Sequence, residues 1–106
     1  MIDDAMGNEM RKGFLKMIVL KIISQRPIHG YDIIHEIEVK THGHWVPSPG
    51  SVYPVLDWLE NRRFISMEEI ERKKVYTITD EGTKALAAID DRRKEMIKEM
   101  SLIFGD

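Results

Sequence analysis

The stretch from Asp80 to Phe104 sets the strongest constraint on this chain of 106 residues. It holds no proline and one early glycine, and as a continuous helix it would be about 37 Å long. Leu86, Ile89, Met96, Met100 and Ile103 recur along it at spacings of three and four, Ile97 and Phe104 widen the stripe, and Arg93 interrupts it. A core made by the rest of so short a chain cannot cover a rod of that length. The stripe therefore predicts a second copy of the chain, with Leu86, Ile89, Met96, Ile97, Met100 and Ile103 as the expected dimerisation residues. Thr79 is placed to cap the helix, and Asp80 and Glu81 fall in its first turn, where negative charge suits the helix dipole.

The preceding residues read as one small domain over residues 11–79, after a short N-terminal tail over residues 1–10. Phe14, Leu15, Ile18, Val19, Ile22 and Ile23 recur at helical spacing, which predicts a first helix from Lys12 to Gln25, stopped by Arg26 and Pro27. Tyr31, Ile33, Ile34 and Ile37 predict a second helix to Lys40, and Thr41 to Pro49 is expected to be a loop. Val52, Val55, Leu56 and Leu59 mark a third helix from Ser51 to Asn61. Ser48 or Ser51 would cap it, and a start at Ser51 lets Pro54 sit where its missing N–H costs nothing. Phe64 to Met67 and Val75 to Thr79 read as two strands of a hairpin around the charged stretch Glu68 to Lys74. The expected fold is mainly α with a small β-hairpin: a winged helix-turn-helix followed by a long dimerisation helix over residues 80–106.

Composition narrows the function. The chain has no cysteine, which excludes disulfides, thiolate nucleophiles and Cys-ligated metals. The longest apolar run, Met17 to Ser24, is interrupted by Lys21 and is far short of the roughly 20 residues that span a bilayer. Residues 1–10 carry no base where a signal peptide needs one. A soluble, cytoplasmic protein without membrane contact is expected. The net charge of −2 is uneven: residues 11–79 hold a balance of +3 between acidic ends, which permits a nucleic-acid face. Catalysis is not expected, because no phosphate loop, nucleophile elbow or His-Glu-x-x-His occurs, and no metal or cofactor is predicted. His42-Gly43-His44 is the one pair with metal-sharing spacing, and a metal-sensing repressor is the reading attached to it.

Three ordered segments carry a resemblance: PIHGYDI at Pro27 to Ile33, PSPGSVYPVLDWLENRRFI at Pro47 to Ile65, and YTITDEG at Tyr76 to Gly82. Together they resemble the PadR family of transcriptional repressors, and with the N-terminal EMRKGFLKMIVLKII the resemblance runs from Glu9 to Ile103. It implies a homodimeric winged-helix protein that binds double-stranded DNA, and an answer to a small aromatic or hydrophobic effector. Some relatives hold flat aromatic drugs against an aromatic residue of the last helix. Here that helix offers only the near-terminal Phe104, so Met96 and Met100 are left as lining for an apolar cavity.

The side chains can be assigned within that frame. Tyr31 at the start of the second helix is expected to meet a phosphate with its hydroxyl, while His29 is expected to cap or pack. On the third helix the apolar positions face the core, leaving Ser48, Ser51 and Tyr53 to reach DNA from its tip. Asp57 and Glu60 would repel the phosphates unless they turn away. Arg62 follows the helix, and Arg72, Lys73 and Lys74 cluster at the expected wing tip, where minor-groove or phosphate contact is predicted. Trp45 and Trp58 are expected in the core or an interface. The resulting expectation is a repressor bound to a near-palindromic operator; the rival is a winged-helix module that binds protein and not specific DNA.

Overall fold

Three short amphipathic helices bury their apolar faces against one another, and each aliphatic side chain removed from water contributes about 1.5–3 kcal/mol. The computed structural model describes residues 4–106. Its elements are α1 (Asp4–Ile23), β1 (Ile28–His29), α2 (Gly30–Lys40), α3 (Pro49–Asn61), β2 (Ile65–Ile70), β3 (Lys73–Ile78) and α4 (Asp80–Phe104). Leu15, Val19 and Ile23 of α1, Ile33 and Ile37 of α2, and Val52, Leu56 and Leu59 of α3 are all buried in one cluster, which Ile65 and Tyr76 close from the sheet. This is the winged-helix arrangement, with α4 projecting beyond it in a molecule 50 Å in its longest dimension.

α1 begins at Asp4, not at Lys12, so most of the expected tail is helical; residues 1–3 lie outside the described residues. Met6, Met10 and Phe14 repeat every four residues on this extension and are exposed, which explains why Phe14 is absent from the core. α3 starts at Pro49, with the Ser48 hydroxyl accepting the Ser51 amide at 3.2 Å. Pro54 is consequently inside the helix. Its ring nitrogen cannot donate to the carbonyl of Gly50, and the interruption falls on an exposed position.

The expected hairpin has a third strand. β1 pairs antiparallel with β3 through Ile28 opposite Tyr76 and His29 opposite Val75, giving the order β1-β3-β2. Two residues carry no strand periodicity, so this pairing is invisible locally. β2 and β3 run in register from Ile65 opposite Ile78 to Ile70 opposite Lys73. The charged stretch is therefore strand on both sides, and the turn is Glu71-Arg72 alone, with φ of 51° and 66°. A two-residue turn with both φ positive favours Asn-Gly, whereas glutamate and arginine each pay the left-handed penalty of about 1–2 kcal/mol.

α4 is joined to this domain through Thr79. Its hydroxyl accepts the Gly82 amide at 3.0 Å and donates to the Arg63 carbonyl at 2.6 Å. Its own amide donates to the Phe64 carbonyl at 3.0 Å. The first turn of α4 thus lies directly on the α3–β2 connection, and a Cβ on Gly82 would collide with the Phe64 carbonyl oxygen.

Two outcomes follow from this geometry. Replacing Glu71-Arg72 by Asn-Gly should stabilise the fold by ~1 kcal/mol or more, read as a rise of several degrees in melting temperature. Gly82→Ala should instead cost at least ~1–3 kcal/mol in a denaturant titration, because backbone must move to admit the methyl group.

Candidate nucleic-acid interface

Helix α2 opens against the sheet, because β1 runs directly into it at Gly30. That junction brings the start of α2, the middle of α3 and the wing turn around one cleft of about 560 Å³. Tyr31, Tyr53, Arg72, Lys73 and Lys74 line it, together with His29, Gly30 and Asp32. Five of the eight side chains expected to bind DNA are therefore collected in one place, from three separate stretches of sequence. Tyr31 is 69% exposed, so its hydroxyl stands free at the rim. The Tyr53 ring lies so close to Gly30 that a Cβ there would sit 2.9 Å from two of its atoms. Glycine at position 30 is what admits the tyrosine from α3.

The other three lie elsewhere. The Ser48 hydroxyl is 3.0 Å from that of Ser51 and receives the Ser51 amide, so both serines are occupied in capping α3. Ser51 lines a second cleft, of about 360 Å³, on the α1 side of α3. Arg62 is the C-cap of α3, and its guanidinium lies 4.5 Å from the Trp58 ring centroid, whose neighbourhood also holds Lys16 Nζ at 4.1 Å. Arg62 packs on an aromatic face at the far end of the helix and is not among the residues lining the cleft. Its position directly after Asn61, four residues on from Trp58, decides its place, and the basic charge gives no sign of it.

The acids of α3 lie within electrostatic reach of the sheet. Burial first, then the nearby Glu60 and Asp57 carboxylates, pushes the buried Tyr76 phenol above its ordinary value. Both acids therefore lie near β3, past the end of α3 that the Ser48 cap presents. His29 sits at the N-cap of α2, but its side chain makes no capping bond, and its buried Nδ1 finds no hydrogen-bond partner among the described residues. His44 Nδ1 lies 2.9 Å from the Thr41 carbonyl. Among the described residues no group of three His, Cys, Asp or Glu side chains could hold a metal ion, and no helix is long and apolar enough to cross a membrane.

The stripe of α4 divides in two. Leu86 and Ile89 pack, half-buried, against the chain's own core, and the fully exposed part of the stripe begins beyond them. Arg93, which interrupts the stripe, is held by Asp90: Nε donates to Oδ1 at 2.9 Å. That bond, with Lys94 next, draws the Asp90 carboxyl below its ordinary pKa. Met96, Ile97, Met100 and Ile103 are exposed, Ile103 to 82%. Met96 and Met100 do not line the apolar cavity of about 620 Å³ that lies between α1, α2 and α4.

The Transcriptional regulator PadR-like family model matches residues 19–88, which hold all three wall elements of the first cleft. The chain belongs to the PadR-like family. It is 39% identical over 88 residues to the Transcriptional regulator YqjI of Escherichia coli strain K12, covering 82% of this chain and 42% of that protein. The PadR-like chain thus spans less than half the length of this curated relative. A PadR-like transcription factor from Bacteroides fragilis superposes with a TM-score of 0.77 at 26% identity, covering 94% of this chain and 99% of that one. A transcriptional regulator from Clostridium thermocellum reaches 0.84 at 23% identity over 95% and 96% of the two chains, a likeness of fold. PadR-like proteins are transcriptional regulators and not enzymes.

Gly30→Ala in this PadR-like chain separates the cleft from the fold. Helix propensity favours alanine over glycine, so the melting temperature should stay within a few degrees, while the displaced Tyr53 ring should weaken duplex binding in a fluorescence anisotropy titration.

Proposed function

We propose that this PadR-like protein is a cytoplasmic, homodimeric repressor that occupies a near-palindromic operator. The observation that carries the DNA contact is the first cleft, where Tyr31 and Tyr53 hydroxyls and the cations of Arg72, Lys73 and Lys74 converge beside α3. Phosphate oxygens take donors of this kind, and a promoter occupied by such a dimer is closed to polymerase. The dimer rests on the open apolar face of α4, from Met96 to Ile103. Met6, Met10 and Phe14 of α1 add a second exposed apolar row, and a partner's α4 gives both a partner surface. Two copies of α3 held this way meet half-sites roughly 34 Å or a multiple apart.

A small hydrophobic effector has a site in this reading. It is the cavity floored by Met17, Ile18, Ile22, Ile37, Leu86 and Ile89, which touches α4 and so senses its position.

Ile97→Asp with Met100→Asp should give a monomer by light scattering and lose operator binding, with the domain still folded. Lys73→Ala with Lys74→Ala should leave the dimer intact, weaken every sequence selected from a random pool by a similar factor, and flatten the salt slope. Salt-insensitive or absent duplex binding beside a stable complex with another protein would replace this reading by that of a protein-binding module.

A further inference from the structure

Beyond the cleft just described, α3 has a second basic flank that neither motif nor charge count marks. The second cleft is lined by Asn8, Arg11, Lys12 and Leu15 of α1, by the Trp45 to Pro47 loop, and by Ser51. Ser51 faces this cleft and Tyr53 faces the first. Two residues along an α-helix are about 200° apart around its axis, so the two clefts lie on opposite sides of the N-terminal half of α3. One side carries Arg72, Lys73 and Lys74; the other carries Arg11 and Lys12.

Arg11 is held in place. Its guanidinium lies 5.7 Å from the Trp45 ring centroid and Nη2 donates to the His44 carbonyl at 3.3 Å. The loop beneath it is fixed by Thr41, whose hydroxyl donates to the Ile37 carbonyl at 2.7 Å and accepts the Trp45 amide at 3.1 Å. A guanidinium on this support still has donors to offer, since five N–H groups exceed the single bond to His44. Lys12 pairs with Glu9 at 3.4 Å, but both side chains are largely exposed, at 69% and 75%. Such a pair is worth little and exchanges readily for a phosphate.

We infer that Arg11 and Lys12 form a second phosphate-binding site, which grips the backbone strand on the opposite side of the major groove from the wing. A helix tip lodged in that groove lies between two phosphate backbones, and a cationic flank on each side of α3 matches them. The inference rests on the DNA-binding reading and adds residues of α1 to it.

The test uses the full chain and a duplex selected from a random pool, with affinity measured across a salt series. Arg11→Gln with Lys12→Gln should make the slope of log K against log salt shallower by about 3.6 for the dimer, at about 0.9 per lost phosphate contact and two contacts in each of two subunits. Arg11→Lys should recover its half of the change. Hydroxyl-radical footprints should lose protection on one strand at each half-site, while Lys73→Ala with Lys74→Ala loses it on the other. Should Arg11→Gln disturb the Trp45 stack and unfold the domain, Lys12→Gln alone carries the test through its expected change of about 1.8, one contact in each of two subunits. A wild-type slope in the Arg11/Lys12 variants beside a flattened slope in the wing variant would overturn the inference and leave the DNA reading standing. So would an altered dimer mass with an unchanged slope, which would put the cleft in the subunit contact. A wild-type protein that binds no duplex at all would remove the DNA reading itself.

Discussion

Thr79 fixes the relation between the part of the molecule that meets DNA and the part left open to a second chain. One hydroxyl closes the first turn of α4 at Gly82 and ties it to the Arg63 carbonyl, while the threonine amide holds the Phe64 carbonyl. Three segments meet there: the end of β3, the α3–β2 connection and the start of α4. Gly82 lies so close to the Phe64 carbonyl that no side chain fits between them, which seats the first turn of α4 on the domain. Because α4 is a single helix from Asp80 to Phe104, that seating is transmitted along the rod to the exposed face beyond Arg93. The orientation of α4 relative to α3 is therefore held by this cap together with the packing of Leu86 and Ile89 on the core.

Charge is placed with the same economy. The chain is acidic overall, at −2, and yet the two clefts beside α3 are lined by five cations. Arg72, Lys73 and Lys74 stand on one side, Arg11 and Lys12 on the other, and the acids of α3 lie within electrostatic reach of Tyr76. Surface charges act over about one Debye length, roughly 8 Å at physiological salt. The local excess at each cleft therefore weighs more than the net charge of the chain, and Glu9, 3.4 Å from Lys12, is the acid that lies within that range on the α1 side.

Much of this was legible in the sequence, for identifiable reasons. The cores of α2 and α3 follow from Ile33, Ile37, Val52, Leu56 and Leu59, because burial imposes the helical period directly on residue choice. Thr79 and Asp80 mark the start of α4, since caps are local chemistry; its end at Gly105, with a left-handed φ of 82°, is added by the structure. β1 was not legible: two residues paired across the chain with Val75 and Tyr76 leave no period to detect. The start of α1 was written in Met6, Met10 and Phe14, whose fourfold spacing continues the helix but on an exposed face, where core logic gives it no weight. Ser48 was legible as a cap of α3, because four amides at the start of a helix need acceptors, and its hydroxyl takes the Ser51 amide.

The candidate site shows why residue type and position must be read together. Arg62 and Arg72 are both arginines that follow an element end. Arg62 meets an aromatic face one turn back, at Trp58, and is drawn there together with Lys16. Arg72 occupies a two-residue turn at positive φ, a backbone state that asparagine or glycine would hold with less strain. A strained turn with a cation at its tip is the inverse of what stability alone selects, and strain of this kind clusters where a side chain has another task. The wing is thus less stable than its register would allow and better charged than its register requires.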